Sequence, residues 1–206
     1  MSIPTPPMLI ISDRTQGRRP LAEIAAEAFA GGCRWFSLRE KDLPAAERLE
    51  LLRDLLTLGR RYGATVTAHQ DMEAVAALGA DGVHLPGGAD PAAARARFPD
   101  RLIGVSAHGA AEAKALLRAG ADYVTASPVF LTQSKPGYGP ALGLDGLSDI
   151  AAAAGGPVVA LGGVTADNAA DCLAAGASAI AVMGEIMRAP DPGATVSALL
   201  RAIGRR

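Results

Sequence analysis

Short apolar runs alternate with longer segments of helical periodicity along the whole chain. Eight runs are apolar or β-branched and have the length of strands: MLIIS, RWFSL, ATVTA, DGVHL, LIGVS, DYVTA, PVVAL and SAIAV. The other segments are rich in Ala, Leu, Glu and Arg, and they predict helices over residues 20–30, 44–61, 71–79, 91–97, 109–119, 144–154, 165–175 and 192–203. Strand and helix therefore alternate eight times.

This alternation predicts the fold. Strands joined by helical crossovers are parallel, and the crossovers are right-handed. Eight near-equal units of about 25 residues fit a closed barrel better than an open, doubly wound sheet. We therefore predict an α/β protein with a single (β/α)8 TIM-barrel domain over residues 1–206. The segments AGG, LGA, RAG and AAG before the second, fourth, sixth and eighth strands predict left-handed glycine caps at the ends of the preceding helices.

Composition and charge narrow the classes of partner. Half of the 206 residues are apolar, which is enough for a sizeable core. The formal net charge is −1 and the charged residues are scattered, so we expect no nucleic-acid partner. The N-terminal segment has no charged leader before its short apolar run, and no window approaches the length of a membrane span. We expect a cytoplasmic protein without a membrane partner, and a homo-oligomer is compatible with these features.

The two cysteines show no pattern of disulfide or metal chemistry. Cys33 and Cys172 lie far apart in the chain, each among small and apolar residues, and neither belongs to a CxxC or Cys/His spacing. We expect both to be buried free thiols.

In a barrel of this kind the chemistry lies at the carboxyl ends of the strands, so the residues that directly follow each strand are the candidates. We call these positions the strand exits. All three histidines of the chain, His69, His84 and His108, fall on them. The other candidates in chain order are Ser12, Asp13, Arg39, Glu40, Lys41, Gln70, the loop 127–143, the GGV segment 162–164 and the MGEI segment 183–186.

The last two exits indicate an anion site. Gly162 and Gly163 allow a close backbone approach, and Met183 and Gly184 open a turn before a helical segment, so several N–H groups can converge on one phosphate. The alternative is that the glycines only permit tight packing; we favour a phosphorylated small molecule. The third and fourth exits hold no carboxylate for a metal, and Asp71 and Asp90 just beyond them are placed to cap helices.

Several motifs together resemble one superfamily. SLREKD at 37–42, GADGVHL at 79–85, IGVSAH at 103–108, GADYVTASPVFLTQSK at 120–135 and VVALGGVTADNAADCLAAGASAIAVM at 158–183 are similar to the thiamine phosphate synthase and thiazole tautomerase (TenI) superfamily. The resemblance implies a barrel that binds a thiazole phosphate in thiamine biosynthesis. Thr132, Ser134 and Lys135 match a Thr-x-Thr-Lys segment that contacts phosphorylated substrates in the synthase branch. We assign Arg39 and Lys41 of SLREKD to substrate binding as well.

The two branches of this superfamily differ in their metal requirement. The synthase couples a pyrimidine diphosphate to the thiazole phosphate, expels pyrophosphate and needs Mg²⁺ held by carboxylates. Its motifs have a Gln where this chain has Ser37, Asn-Asp where it has His69 and Gln70, and Gly-Gln-x-Asp where it has PGGAD. The HLPGG segment instead resembles the tautomerase branch, an isomerase that needs no metal. We therefore expect no cofactor, with Mg²⁺ as the expectation if the protein is a synthase.

The proton carrier of the tautomerase branch is missing from its usual place. The tautomerase branch has a Gly-His-Val-Phe pattern after the sixth strand, whereas this chain has Ser-Pro-Val-Phe at 127–130. A histidine at another exit can supply a group that titrates near neutrality. Our first candidate is His69, followed by His108 and His84. Three hypotheses remain, in decreasing order of preference: a metal-independent thiazole tautomerase, a thiamine phosphate synthase, and a non-catalytic binder of thiazole or thiamine phosphate.

Overall fold

The computed structural model describes residues 2–132 and 140–204. Within them the chain forms eight strands and nine α-helices, with a short 3₁₀ helix at Arg14–Gln16. The strands are β1 (Met8–Ile11), β2 (Trp35–Leu38), β3 (Thr65–His69), β4 (Gly82–Leu85), β5 (Leu102–Ala107), β6 (Tyr123–Ala126), β7 (Val158–Leu161) and β8 (Ala179–Val182). The helices are α1 (Leu21–Ala30), α2 (Ala45–Arg61), α3 (Met72–Leu78), α4 (Pro91–Arg97), α5 (Ala110–Arg118), α6 (Gly143–Ala154), α7 (Ala169–Ala174), α8 (Gly184–Met187) and α9 (Pro192–Ile203).

The eight strands form a closed barrel. Each strand pairs in parallel with its neighbours in chain order, and β8 pairs with β1 to complete the circle. The prediction of a (β/α)8 TIM barrel is confirmed. Because all strands run the same way, their carboxyl ends and the exits that follow them share one face of the barrel.

The predicted helices agree with the structure apart from the segments around the last two strands. The helix predicted over 165–175 begins only at Ala169, because Thr165 to Asn168 form a turn in which the Thr165 N–H donates to the Asn168 side chain at 2.9 Å. The short helix α8 directly follows β8. It begins at Gly184, within the turn that the sequence analysis placed before a helical segment.

The predicted glycine caps and buried free cysteines are present in the structure. Gly32, Gly79, Gly120 and Gly176, which precede alternate strands, all have positive φ angles, between 66° and 109°. Cys33 and Cys172 are buried and free. Burial raises the pKa of the Cys33 thiol to about 12 and that of the Cys172 thiol to about 11, which leaves both as unreactive thiols. No helix in the two described ranges combines the length and apolar content that crossing a membrane requires.

The barrel interior is closed at the end opposite the exits. Trp35 and Tyr123 are fully buried there, with their rings edge to face and 4.8 Å between centroids. Gly104 makes this arrangement possible, because it pairs with His84 on one side and with Tyr123 on the other, and a methyl group on it would overlap the Tyr123 ring. A separate and larger apolar layer packs between the outer surface of the barrel and the helices. We call the Trp35–Tyr123 layer the barrel floor.

Candidate active site

A cavity of about 460 Å³ opens at the carboxyl face of the barrel, and residues at or after the ends of all eight strands line it. Its size is typical of a site for a small metabolite. The structure brings most of the predicted site residues together on its wall: Arg39, Lys41, His69, His84, His108, Thr132, Gly162, Gly163, Met183 and Gly184. Ser134 and Lys135 lie outside the described residues. The roles of all these residues stay predictions.

At the exit of β2, the cationic side chains of Arg39 and Lys41 line the cavity, whereas the side chain of Glu40 between them is buried. The Glu40 carboxylate is buried, accepts the Arg14 backbone N–H at 3.1 Å and hydrogen bonds the Ser12 hydroxyl; burial raises the pKa of Glu40. This acid holds the exits of β1 and β2 together, so it is structural. Arg39 and Lys41 on either side of it line the cavity, and burial, assisted by the Arg39 charge, lowers the pKa of Lys41.

His84 is held in a fixed position at the base of the cavity. Its Nδ1 lies 3.1 Å from the Tyr123 hydroxyl and its Nε2 lies 3.1 Å from the Ser106 hydroxyl. Burial, with a smaller contribution from the Arg39 charge, lowers the pKa of His84 to about 4. The ring is therefore neutral near pH 7 and orients Ser106, a cavity residue that the sequence analysis did not select. This environment does not give His84 the near-neutral pKa that we expected of a proton carrier.

The other two histidines lie nearer the mouth. His69 stacks on His84 with 5.1 Å between ring centroids, and its Nε2 is 3.4 Å from the Gln70 side-chain amide. Gln70 has a left-handed φ of 63°, a conformation that is strained for a residue with a side chain and is often found at functional sites. His108 is exposed, with its Nδ1 3.3 Å from the Ser127 carbonyl. His69 and His108 are thus both placed where a ligand in the cavity would meet them.

We expect the buried His84 to make the protein sensitive to acid. The unfolded chain binds a proton at His84 near the ordinary pKa of 6.5, whereas the folded protein does so only near 4. Stability is therefore full above pH 6.5 and falls as the pH drops towards 4, by about 3 kcal/mol. Urea unfolding at a series of pH values measures this. His84→Gln should flatten the profile between pH 4 and 6.5, whereas the exposed control His108→Gln should keep it; equal profiles in parent and His84→Gln would contradict the assignment.

The glycine pair after β7 packs closely against the loop that follows β6. Gly162 and Gly163 have φ angles of 101° and 65°, and a methyl group on either would overlap the segment from Pro128 to Leu131. The Phe130 N–H donates to the Gly162 carbonyl at 2.9 Å. These glycines therefore permit tight packing between the two loops, and this observation does not decide between packing alone and phosphate binding. They also line the cavity, so their part in phosphate binding stays a prediction.

Two cavity residues near the last exits were missed by the sequence analysis. Thr165 follows the glycine pair, and Arg188 lies four residues after Gly184, so that one turn of helix brings its side chain back to the exit. The spacing from Gly184 was the available signal for Arg188. The sequence analysis expected a helical segment after Gly184 but did not follow this spacing to residue 188.

The residues present do not fit the carboxylate site for Mg²⁺ that the synthase branch implies. His69 and Gln70 occupy the exit of β3. Asp71 caps α3 by accepting the Ala74 N–H and pairs with Arg48, and Asp90 caps α4 by accepting the Ala92 N–H. Residues 2–132 and 140–204 contain no cluster of three or more His, Cys, Asp or Glu side chains that could hold a metal. Hard cations prefer carboxylate oxygens, and these two carboxylates are engaged elsewhere.

A closed parallel barrel with a cavity that carries arginine, lysine and histidine at its strand exits defines the class of (β/α)8-barrel enzymes. Within this class, the chain belongs to the thiamine monophosphate synthase family, whose model matches residues 8–186. The superfamily that the motifs predicted is thereby confirmed.

Individual relatives carry the same name. The chain is 42% identical over 202 residues to a protein from Geobacter sulfurreducens named "Putative thiamine-phosphate synthase", with 97% of this chain and 95% of the relative covered. It is 38% identical to the thiamine-phosphate synthase of Moorella thermoacetica, with 96% and 95% covered. Among solved structures, the thiamine phosphate pyrophosphorylase from Pyrococcus furiosus is similar, with a TM-score of 0.87, 32% identity, and 96% and 95% covered. These similarities support an enzyme of thiamine biosynthesis, and none of these relatives is named a tautomerase.

Proposed function

We propose that this protein is a thiamine-phosphate synthase, which couples a pyrimidine diphosphate to a thiazole phosphate and expels pyrophosphate. The observation that carries the proposal is that relatives similar over more than nine-tenths of their length bear this name. It reverses the order of preference from the sequence, where the tautomerase came first. Such an enzyme would act in the cytoplasm on small phosphorylated ligands.

We assign the two substrates to different parts of the cavity wall. Loops after β7 and β8, with Gly162, Gly163, Met183 and Gly184, would hold the thiazole monophosphate. Arg39 and Lys41 would face the diphosphate, where negative charge develops on the leaving group as its bond to the pyrimidine methylene breaks. The hydroxyl of Ser106, which lies 3.1 Å from His84 Nε2, also lines the cavity and would contact the rings.

The carboxylates just beyond the exits of β3 and β4, Asp71 and Asp90, cap helices and do not form a Mg²⁺ site. The positive charge that the diphosphate needs would therefore come from arginine and lysine side chains. The Arg39 side chain is 15% exposed and its Nη1 lies 3.9 Å from Asp13, so its charge is held in a defined place. Lys41 lies beside it and is partly desolvated. Arg39 would therefore stabilise a developing anion with little rearrangement, and Lys41 would add a second positive charge beside it.

The proposal is tested by incubating the protein with the thiazole phosphate and the pyrimidine diphosphate, with Mg²⁺ and with a chelator in parallel. We expect thiamine phosphate and pyrophosphate to form in equal amounts in the presence of Mg²⁺. Calorimetric titration of the protein with Mg²⁺ alone should show no micromolar complex, because Asp71 and Asp90 are engaged in caps. Absence of product in both samples would contradict the synthase proposal.

A second candidate, the metal-independent thiazole tautomerase, is favoured by one observation. The exit of β3 carries His69 and Gln70 in place of an acidic pair, and His69 stacks on His84 at the cavity mouth. A ring in this position is within reach of a proton on a bound thiazole, and a positioned general base contributes about 10²-fold to 10⁴-fold to rate. Absorbance measurements on a carboxythiazole phosphate tautomer test it: turnover there without coupling would replace the first proposal.

The third hypothesis, a non-catalytic binder of thiazole phosphate, has its own signature in the same experiments. It requires thiazole phosphate to bind the protein in calorimetry while neither coupling nor tautomer conversion occurs. The two enzymatic candidates each require turnover of one substrate set. The assays therefore distinguish all three hypotheses.

A further inference from the structure

A guanidinium group occupies the space beside the backbone at the exit of β8. Arg188 directly follows α8, and its side chain lines the cavity together with Gly162, Gly163, Met183 and Gly184. Gly184 is buried, and a methyl group at this position would overlap the Arg188 guanidinium. The absence of a side chain at residue 184 is therefore what allows the cation to lie over this exit.

Residues at the exit of β1, the strand that pairs with β8, orient the guanidinium group of Arg188. Arg188 Nη1 donates to the Gln16 side-chain oxygen. Gln16 in turn donates through Nε2 to Asp13 at 2.8 Å, and Asp13 is itself fixed by the backbone N–H of Thr15. This chain of hydrogen bonds sets the direction of the Arg188 side chain even though that side chain is exposed.

The same carboxylate also faces the other guanidinium of the cavity. Arg39 Nη1 lies 3.9 Å from Asp13. Asp13 and Gln16 therefore contact both guanidinium groups: Asp13 lies next to Arg39, and Gln16, which is bonded to Asp13, accepts from Arg188. Among the charged side chains on the described wall, Arg39, Lys41 and Arg188 are cationic and Glu185 is acidic. The balance of charge favours an anionic ligand.

We infer that Arg188 is a ligand of the substrate monophosphate and that Gln16 and Asp13 are positioning residues for it. The inference rests on the proposed function, because it assigns the monophosphate of the thiazole substrate to this group. A guanidinium donates two parallel hydrogen bonds to phosphate oxygens, and such charge-assisted bonds are about twice as strong as neutral ones. Arg188 therefore adds to the neutral backbone donors of Gly162, Gly163 and Gly184 a charge that distinguishes a phosphate ester from its alcohol.

Arg188→Gln tests the assignment through ligand discrimination. Binding of the thiazole phosphate and of the unphosphorylated thiazole alcohol is measured by calorimetry on the parent protein, on Arg188→Gln and on Arg53→Gln, an exposed control on α2 outside the cavity. We expect Arg188→Gln to weaken the phosphate ligand by roughly tenfold and to leave the alcohol unchanged. Arg53→Gln should change neither. Equal loss for both ligands, or loss for neither, would overturn the inference.

Gly184→Ala provides a second variant that leaves the arginine in the chain. Its methyl group displaces the flexible end of Arg188. We expect the same selective loss of phosphate binding, with an unfolding midpoint close to that of the parent. Gln16→Ala should weaken the phosphate ligand in the parent but not in the Arg188→Gln background, because the positioned group is then gone. Additive losses in the double variant would overturn the role of Gln16.

Binding of inorganic phosphate tests this inference independently of the proposed function, because it requires neither substrate of the coupling reaction. If the parent binds phosphate and Arg188→Gln binds it roughly tenfold more weakly, Arg188 is an anion ligand whichever substrate the enzyme uses. If the two proteins bind phosphate equally, the inference is wrong, even where the coupling assay succeeds.

Discussion

Arg39→Gln is expected to lower kcat/KM for thiamine phosphate formation by at least about hundredfold, the loss typical of removing one preorganised group from a charged transition state. Arg39 is suited to this role because its side chain is mostly shielded and its backbone N–H donates to the Ser12 hydroxyl at 2.8 Å. Its charge also lowers the pKa of both Lys41 and His84. Initial rates of pyrophosphate release measure the effect.

An independent property checks that Arg39→Gln acts through charge. Because the Arg39 charge lowers the pKa of His84, its removal should raise that pKa from about 4, which NMR titration of the imidazole resolves without any substrate. The exposed control Arg53→Gln should leave both the rate and the titration unchanged. Parent-like turnover in Arg39→Gln would show that the diphosphate is stabilised elsewhere.

Gly104→Ala is expected to destabilise the fold by about 3 kcal/mol, because overpacking a filled interior displaces side chains or backbone. The added methyl group would overlap the Tyr123 ring in the barrel floor, where the ring also contacts Trp35. A displaced Tyr123 can no longer hold His84 Nδ1 through its hydroxyl. Equilibrium unfolding in urea measures the loss of stability.

Gly109→Ala is the matched control for Gly104→Ala. Gly109 precedes α5, has an extended φ of −164°, and a methyl group on it meets no atom within 4 Å. Its replacement should change stability by less than about 1 kcal/mol. A similarly small change in Gly104→Ala would mean that the Tyr123 ring moves aside freely and that the floor is less tightly packed than its geometry indicates.

The barrel could be predicted from the sequence because its signals are local. Parallel strands buried on both faces are continuous apolar runs, and each helix between them shows its own period. Asp71 and Asp90 could be proposed as caps because a cap is defined by its immediate neighbours. The positions of the strand exits could be predicted from the ends of the apolar runs, and most residues of the cavity wall lie at these exits.

The remaining features depend on residues that are distant in the chain. The low pKa of His84 comes from burial in the assembled barrel, with a smaller contribution from the Arg39 charge at the exit of β2. Glu40 looks like a candidate acid in the sequence, but contacts with Ser12 and Arg14 from the first exit make it structural. Arg188 enters the site only because α8 forms directly after β8 and residue 184 lacks a side chain.

The barrel floor has a consequence for the order of events during turnover. Trp35 and Tyr123 close the lower end, and the residues that line the cavity in the described part of the chain lie at the carboxyl face of the barrel. For the proposed coupling reaction, two substrates would share one chamber that is closed at its lower end. We therefore expect a compulsory order of binding, with the inner substrate first, and initial rates measured with both substrates varied test it.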